Sequence, residues 1–180
     1  MKTFYTHFPS PIGPLLMMSD GKALTGLHTS RDKYKPKQEP DWVEDASAMP
    51  FPETVRQLHE YFDSARRKFD IPLAPHGTEF QLRVWKQLCN IPCGETISYA
   101  ELARRIGNVN ASRAVGMANS RNPISIIVPC HRVIGADGSL TGYAGGLDRK
   151  QALLAHEAAT AGKRGEGRGT SEGRNLRLFS

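Results

Sequence analysis

Ile126-Ile127-Val128-Pro129-Cys130-His131-Arg132-Val133-Ile134-Gly135 is the stretch from which the rest of the chain can be read. A β-branched run of the kind that fills a core carries a single cysteine to its end, and a histidine follows at once. A thiol attacks as thiolate, and a free cysteine at neutral pH is mostly protonated. An imidazole backed by a carboxylate can take the proton, the carboxylate fixing the tautomer and stabilising the charged ring. Adjacent residues of an extended strand point to opposite faces. For His131 to serve Cys130 the chain must therefore bend after Pro129, or a water must bridge the two. The plain alternative is a packed cysteine, one of the most frequently buried residue types.

Beyond this stretch, Asp137-Gly138 predicts a hairpin turn. The glycine-rich segment 140–146 then returns beside the first strand. Its bare backbone would let a planar ligand approach N–H and C=O groups; the alternative is a plain flexible loop. Asp148 is the expected N-cap of a last helix over residues 149–159 that buries Leu153 and Leu154. Glu157 sits near the end of that helix, where the dipole disfavours an acid, so it needs a partner elsewhere. His131 is the candidate, and a surface carboxylate is the bland reading.

Before the cysteine, Asn122-Pro123 starts a turn whose amide can bond neighbouring backbone and set the register of the reactive loop. Residues 98–107 and 111–119 form two short helical patterns with a glycine-led turn between them, the shape of a helix-turn-helix. Tyr99, Leu102 and Ile106 give the first an apolar face. The second is rich in Ala and Gly, which permits close approach to another surface, and its Arg113 and Met117 can face outward. By pattern alone an ordinary helical hairpin fits equally well.

Thr78-Glu79-Phe80-Gln81 has the form of a capping box, and Phe80, Val84, Trp85, Leu88 and Cys89 make a helical stripe behind it. Cys89 reads as packing. Cys93 falls in the following turn, and Cys-x-x-x-Cys without a second pair is poor zinc spacing, so no metal is expected. The first seventy residues read as short strands at 3–8, 15–18 and 23–28 and a charged loop at 31–39. A helix at 52–66 follows, with Val55, Leu58 and Phe62 on one face and His59 beside it as a structural histidine. No chemistry is apparent there. The prolines and glycine of 71–77 suit an interdomain linker.

The 180 residues carry a net charge of +6, with three cysteines. The sequence pI near 9.4 favours a polyanionic partner. Part of that excess lies in residues 161–180, where five Lys/Arg face two Glu. An odd cysteine count without framework spacing suggests a reducing compartment. The N-terminus has no signal-peptide h-region and no apolar run reaches membrane length, so a cytoplasmic protein is expected. Low hydrophobicity from residue 160 onward predicts a disordered basic tail.

The run from Gly77 to Glu157 closely resembles the O6-alkylguanine-DNA alkyltransferases, nearest their bacterial constitutive branch. Gly-Thr-Glu-Phe-Gln, Val-Trp, Ile-Pro-Cys-Gly, Ser-Tyr-Ala-Glu-Leu-Ala and Arg-Ala-Val-Gly occur in order. Asn-Pro-Ile-Ser-Ile-Ile-Val-Pro-Cys-His-Arg-Val-Ile-Gly, Thr-Gly-Tyr-Ala-Gly-Gly and Leu-Leu-Ala-His-Glu complete the set. The resemblance implies an α+β fold. A small ribonuclease H-like sheet-plus-helix domain, 1–74, precedes a mainly helical domain, 75–159, carrying the helix-turn-helix, and a tail over 160–180.

It further implies that Cys130 takes, and keeps, a methyl or other alkyl group from O6-alkylguanine in duplex DNA, with O4-alkylthymine as a further substrate. The protein would be a monomer without cofactor. His131 and Glu157 match the activating pair, with a water between thiol and imidazole. Tyr99 matches the tyrosine that assists the leaving guanine and crowds the DNA phosphate, and Asn122 the asparagine that braces the cysteine loop. Arg113 matches the residue that fills the stack left by the flipped nucleotide, with Ala114 and Met117 as further DNA contacts. The second helix would enter the minor groove. Val133, Tyr143 and the backbone of Ala144 would line the guanine pocket. Arg132 reads as a structural ion-pair partner of Glu95. Three other classes make different demands. A damage-binding module would need no reactive cysteine, a cysteine hydrolase would leave the helix pair unexplained, and a helix-turn-helix regulator would want a dimer surface.

Overall fold

The computed structural model describes residues 2–163. Three antiparallel strands, β1 (Phe4–Phe8), β2 (Leu15–Ser19) and β3 (Leu24–Thr29), form a meander, and the short β4 (Val43–Glu44), which the sequence reading lacked, adds in parallel to β1. The sheet order is β3-β2-β1-β4. One sheet face takes α1 (Phe51–Phe62) as part of a buried cluster that also runs through α2 (Glu79–Leu88), α3 (Tyr99–Arg105), α4 (Ser112–Ser120) and α5 (Leu147–Gly162). The fold is α+β, as expected.

The capping box forms as read. Thr78 Oγ1 accepts from the Gln81 N–H, and the Gln81 side chain accepts from the Thr78 N–H. Trp85 on the stripe of α2 is buried and donates its indole N–H to Ala118 O of α4 at 2.8 Å, which locks the helix-turn-helix onto α2. Ser98 caps α3 through the Glu101 N–H.

Several local readings are corrected. The β-branched run before Cys130 is buried but is not a strand. Ser125, Ile126 and Ile127 turn, with Ile126 in the left-handed region at φ 72°, and Cys130–Arg132 is a 3-10 turn. The cause is Asn122, whose amide donates to Val128 O at 2.7 Å and Ile124 O at 3.3 Å while accepting from the Ile124 N–H. Carbonyls that would have joined a ladder are satisfied locally. The Asp137-Gly138 turn exists without a hairpin, because β6 (Val133–Ile134) pairs in parallel with β5 (Ile97–Ser98) instead.

The 71–77 segment does not hang free. Ile71 and Leu73 are buried, and the backbone of Pro72 and Ala74 bonds Leu24 on the edge of β3. Helix α1 stops at Phe62, where Ser64 turns left-handed, and its buried face holds Leu58 with Thr54 and Tyr61; Val55 and Phe62 are only partly covered. His59 is exposed with its ring edge on Phe8. Gly146, not Asp148, is the cap position of α5, and Asp148 pairs with Arg31. Leu153 is buried and Leu154 only partly. Because α5 runs to Gly162, residues 160–162, read as tail, are helical; residues 164–180 lie outside the described residues.

Candidate active site

The 3-10 turn after Pro129 swings His131 out of line with Cys130 and toward α5. There His131 Nε2 lies 2.7 Å from Glu157 Oε1, both side chains fully buried. The carboxylate is held by more than the imidazole. Arg132 grips it with Nε on Oε2 and Nη2 on Oε1, each at 2.8 Å, while its Nη1 donates to Ile91 O. Tyr61 of α1 donates its hydroxyl to Oε1 at 2.7 Å, and the Gly94 N–H reaches Oε2 at 3.3 Å. The pairing of Arg132 with Glu95 is thus overturned. Glu95 is exposed, and the guanidinium follows the 3-10 turn inward to the same carboxylate as its neighbour.

These contacts decide the protonation state. Burial alone would raise the Glu157 carboxyl, but the His131 bond and the Arg132 charge outweigh it and hold it well below the usual range. Burial lowers His131, with Glu157 opposing and Arg132 adding to the drop. A neutral His131 then donates Nε2–H to Glu157, which leaves Nδ1 as a buried lone pair with no hydrogen-bond partner among the described residues.

Cys130 is 4 % exposed. Burial pushes its thiol up to about 11, against the lowering effects of Asn122 and the Lys150 ammonium. Burial thus favours the protonated thiol at rest, so attack calls for a group that takes the proton. Asn119 Nδ2 donates to the Cys130 carbonyl at 3.3 Å. Lys150 is fully buried, and its Nζ donates to Val133 O at 2.5 Å and Thr141 O at 2.6 Å, tying the glycine-rich loop to β6. Burial lowers this amine to about 8.

Tyr99 and Tyr143 lie within electrostatic reach of Cys130. Burial raises both phenols, and the Cys130 charge adds to each. Tyr99 Oη donates to Thr141 O at 2.9 Å. Gly142, at φ 69°, leaves room for that hydroxyl, since a Cβ there would stand 2.7 Å from it. Both tyrosines line a cavity of about 660 Å³ whose far wall is α4, through Ser112, Arg113, Gly116 and Met117. Arg113, Ala114 and Met117 are exposed, though Ala114 does not line the cavity. Val133 is buried beneath the loop and Ala144 is half-buried within it.

Bonds and electrostatics bring Cys130, His131, Glu157, Asn122, Tyr99, Val133 and Tyr143 together, while Arg113 and Met117 stand across the cavity. Ala114 and Ala144 are tied to the group by no hydrogen bond or ion pair found among the described residues. Tyr61, Lys150 and the inward role of Arg132 escaped the sequence reading. Lys150 had a signal: with Leu153 and Glu157 it lies on one buried stripe of α5. Tyr61 had none beyond its place beside Leu58. Among the described residues no group of three or more His, Cys, Asp or Glu could hold a metal ion.

Two family profiles match: "6-O-methylguanine DNA methyltransferase, ribonuclease-like domain" over residues 3–75 and "6-O-methylguanine DNA methyltransferase, DNA binding domain" over 79–159. The methylated-DNA–protein-cysteine methyltransferase of Methanosarcina mazei is 56% identical over 151 residues, 84% of this chain and 94% of that protein. That of Mycobacterium tuberculosis is 51% identical over 157 residues, 87% and 93%. A crystal structure of Mycobacterium tuberculosis OGT in complex with DNA superposes with a TM-score of 0.83 at 50% identity, covering 87% and 94%. With both halves matched in order over nearly all the described residues, this chain belongs to the 6-O-methylguanine DNA methyltransferase family.

Proposed function

We propose that the protein repairs DNA by transferring a methyl or other alkyl group from O6-alkylguanine in duplex DNA to Cys130, irreversibly and once per molecule. The observation that carries the residue assignment is the unpartnered, buried Nδ1 of His131, held by Glu157 in the tautomer that makes it a base. The near relatives' shared name, methylated-DNA–protein-cysteine methyltransferase, supports the reaction class.

In this reading the base leaves the stack, at a cost of a few kcal/mol, because a buried thiol cannot reach it inside the duplex. Arg113 fills the space left behind. His131 Nδ1 takes the thiol proton through one water as Sγ attacks the alkyl carbon. The C–O6 bond breaks, its electrons pass to guanine, and the Tyr99 phenol supplies the proton the leaving base takes up. Proton return from His131 to Tyr99 closes the balance. The product thioether offers water no polarised carbonyl, so no second step regenerates the thiol. O4-alkylthymine would react in the same way.

Asn122 braces the cysteine loop, and Val133, Tyr143 and Ala144 line the base pocket. Arg113, Ala114 and Met117 face the DNA. The division near residue 74 belongs to the same reading, as do a monomeric, cofactor-free protein and a cytoplasmic location. No helix of the described residues is long and apolar enough to cross a membrane.

The test is intact-protein mass after incubation with a duplex carrying one O6-methylguanine. One methyl gained per protein, mapped to the Cys130 peptide and absent in Cys130→Ala, is expected. Tight binding with no mass gain would make the protein a damage sensor and end the transfer reading.

A further inference from the structure

The loop after β3 shares the cavity wall with α4, yet the transfer chemistry makes no use of it. Lys33 and Tyr34 line the cavity together with Arg113, Met117 and Ser120. Two cations stand over the Tyr34 ring, Lys33 Nζ at 4.9 Å and the guanidinium of Arg121, the residue after α4, at 5.5 Å. This places the loop at the end of the helix expected to read DNA.

The loop is built rather than loose. Asp32 is buried and takes His28 Nδ1 at 2.9 Å on one oxygen and the Tyr34 N–H at 2.8 Å on the other. The Asp32 N–H reaches Thr29 O, and the Lys35 N–H reaches Asp32 O. The one acid in residues 31–37 is thus turned inward, while Arg31, Lys33, Lys35 and Lys37 are exposed. Arg31 is tied to Asp148. Among the described residues Lys33, Lys35 and Lys37 form none of the ion pairs found. Three exposed lysines, with Lys33 on the cavity wall beside Arg113 and Arg121 against the Tyr34 ring, match a polyphosphate chain.

We propose that the 31–37 loop is a second duplex-binding element, its lysines contacting backbone phosphates across the cavity mouth from α4, with Tyr34 holding it against Arg121. The proposal rests on the DNA-repair reading above. Its consequence is that the N-terminal half takes part in binding the lesion-bearing duplex, beside the helix-turn-helix.

The test is duplex affinity of the full chain at several salt concentrations, for the wild type and for Lys33→Gln/Lys35→Gln/Lys37→Gln. A control of equal charge change, Lys2→Gln/Lys22→Gln/Lys86→Gln, alters residues that do not line the cavity. Losing three phosphate contacts should flatten the slope of log affinity against log salt by about 2.7, at about 0.9 per contact, and lower affinity at low salt by roughly tenfold or more. A slope equal to that of the control overturns the proposal. Methyl transfer to wild-type Cys130 from the duplex and from free O6-methylguanine is measured alongside. Its absence would sink the repair reading, while the slopes would still decide the loop.

Discussion

Two buried histidine–carboxylate pairs, one after β3 and one between the 3-10 turn and α5, are set apart by their surroundings. His131 and Glu157 are 2.7 Å apart, His28 and Asp32 2.9 Å, and all four side chains are at most 5% exposed. His28 spends Nδ1 on its carboxylate, and its Nε2 packs toward Gly26. His131 spends Nε2 and keeps Nδ1 buried without a hydrogen-bond partner among the described residues. Glu157 is gripped by a guanidinium, a phenol and a backbone N–H besides its histidine, whereas Asp32 takes a backbone N–H of its own turn. A histidine pair alone says little. The free nitrogen and the charge balance of the carboxylate separate a base from a brace.

If that contrast is right, the largest effect comes from His131→Gln. Its single-turnover transfer rate should fall by about 10²–10⁴, the usual contribution of a general base, with duplex affinity kept. A comparable rate loss in His28→Gln would erase the distinction between the pairs. Next comes Glu157→Gln, which leaves the Arg132 charge buried without its partner. Chemical denaturation should show a loss of about 3–5 kcal/mol.

The same variant has a pH signature. Glu157 is held below its unfolded value, so its contribution is fully present above about pH 4.3 and is lost as pH falls toward the folded pKa. His131, also lowered, acts in the same direction below about pH 6.5, because the unfolded chain binds the extra proton there. Glu157→Gln should therefore lose less stability on acidification below about pH 4.3 than the wild type does. Steeper acid unfolding in the variant would contradict the ionised carboxylate. In the transfer rate, the acid limb should fall below pH 6.5, where His131 finally protonates.

Smaller still, Tyr61→Phe removes one bond to a charged acceptor that keeps its guanidinium, and about 1.5–3 kcal/mol of stability should go with it. A coupled drop in transfer rate would sharpen the comparison, since it would show α1 orienting the imidazole through Glu157. Asp32→Asn, which keeps shape and part of the hydrogen bonding, should cost about 1 kcal/mol and weaken duplex binding more than it slows transfer of bound lesions. The reverse pattern would make Asp32 part of the chemistry.

Much of this arrangement is legible residue by residue. The capping box at Thr78, the paired helices at 99–105 and 112–120, the Asn122 turn and the need of Glu157 for a distant partner all follow from local rules. Those rules act within a turn or two of chain, where propensity and side-chain-to-backbone bonding decide. They misread the segment before Cys130 as extended, because β-branched composition marks burial as readily as it marks strands. They also overlooked Tyr61 and placed Arg132 on Glu95.

What the sequence by itself determined is the set of elements and the chemistry available: one cysteine followed by a histidine, an acid on the last helix and a small-residue helix that carries Arg113. What only the tertiary structure decided is which polar groups share a buried carboxylate. Tyr61 and Glu157 are 96 positions apart, and Arg132 and Glu157 are 25. A buried charge must be satisfied by whatever donors packing brings to it, and packing is a property of the whole chain.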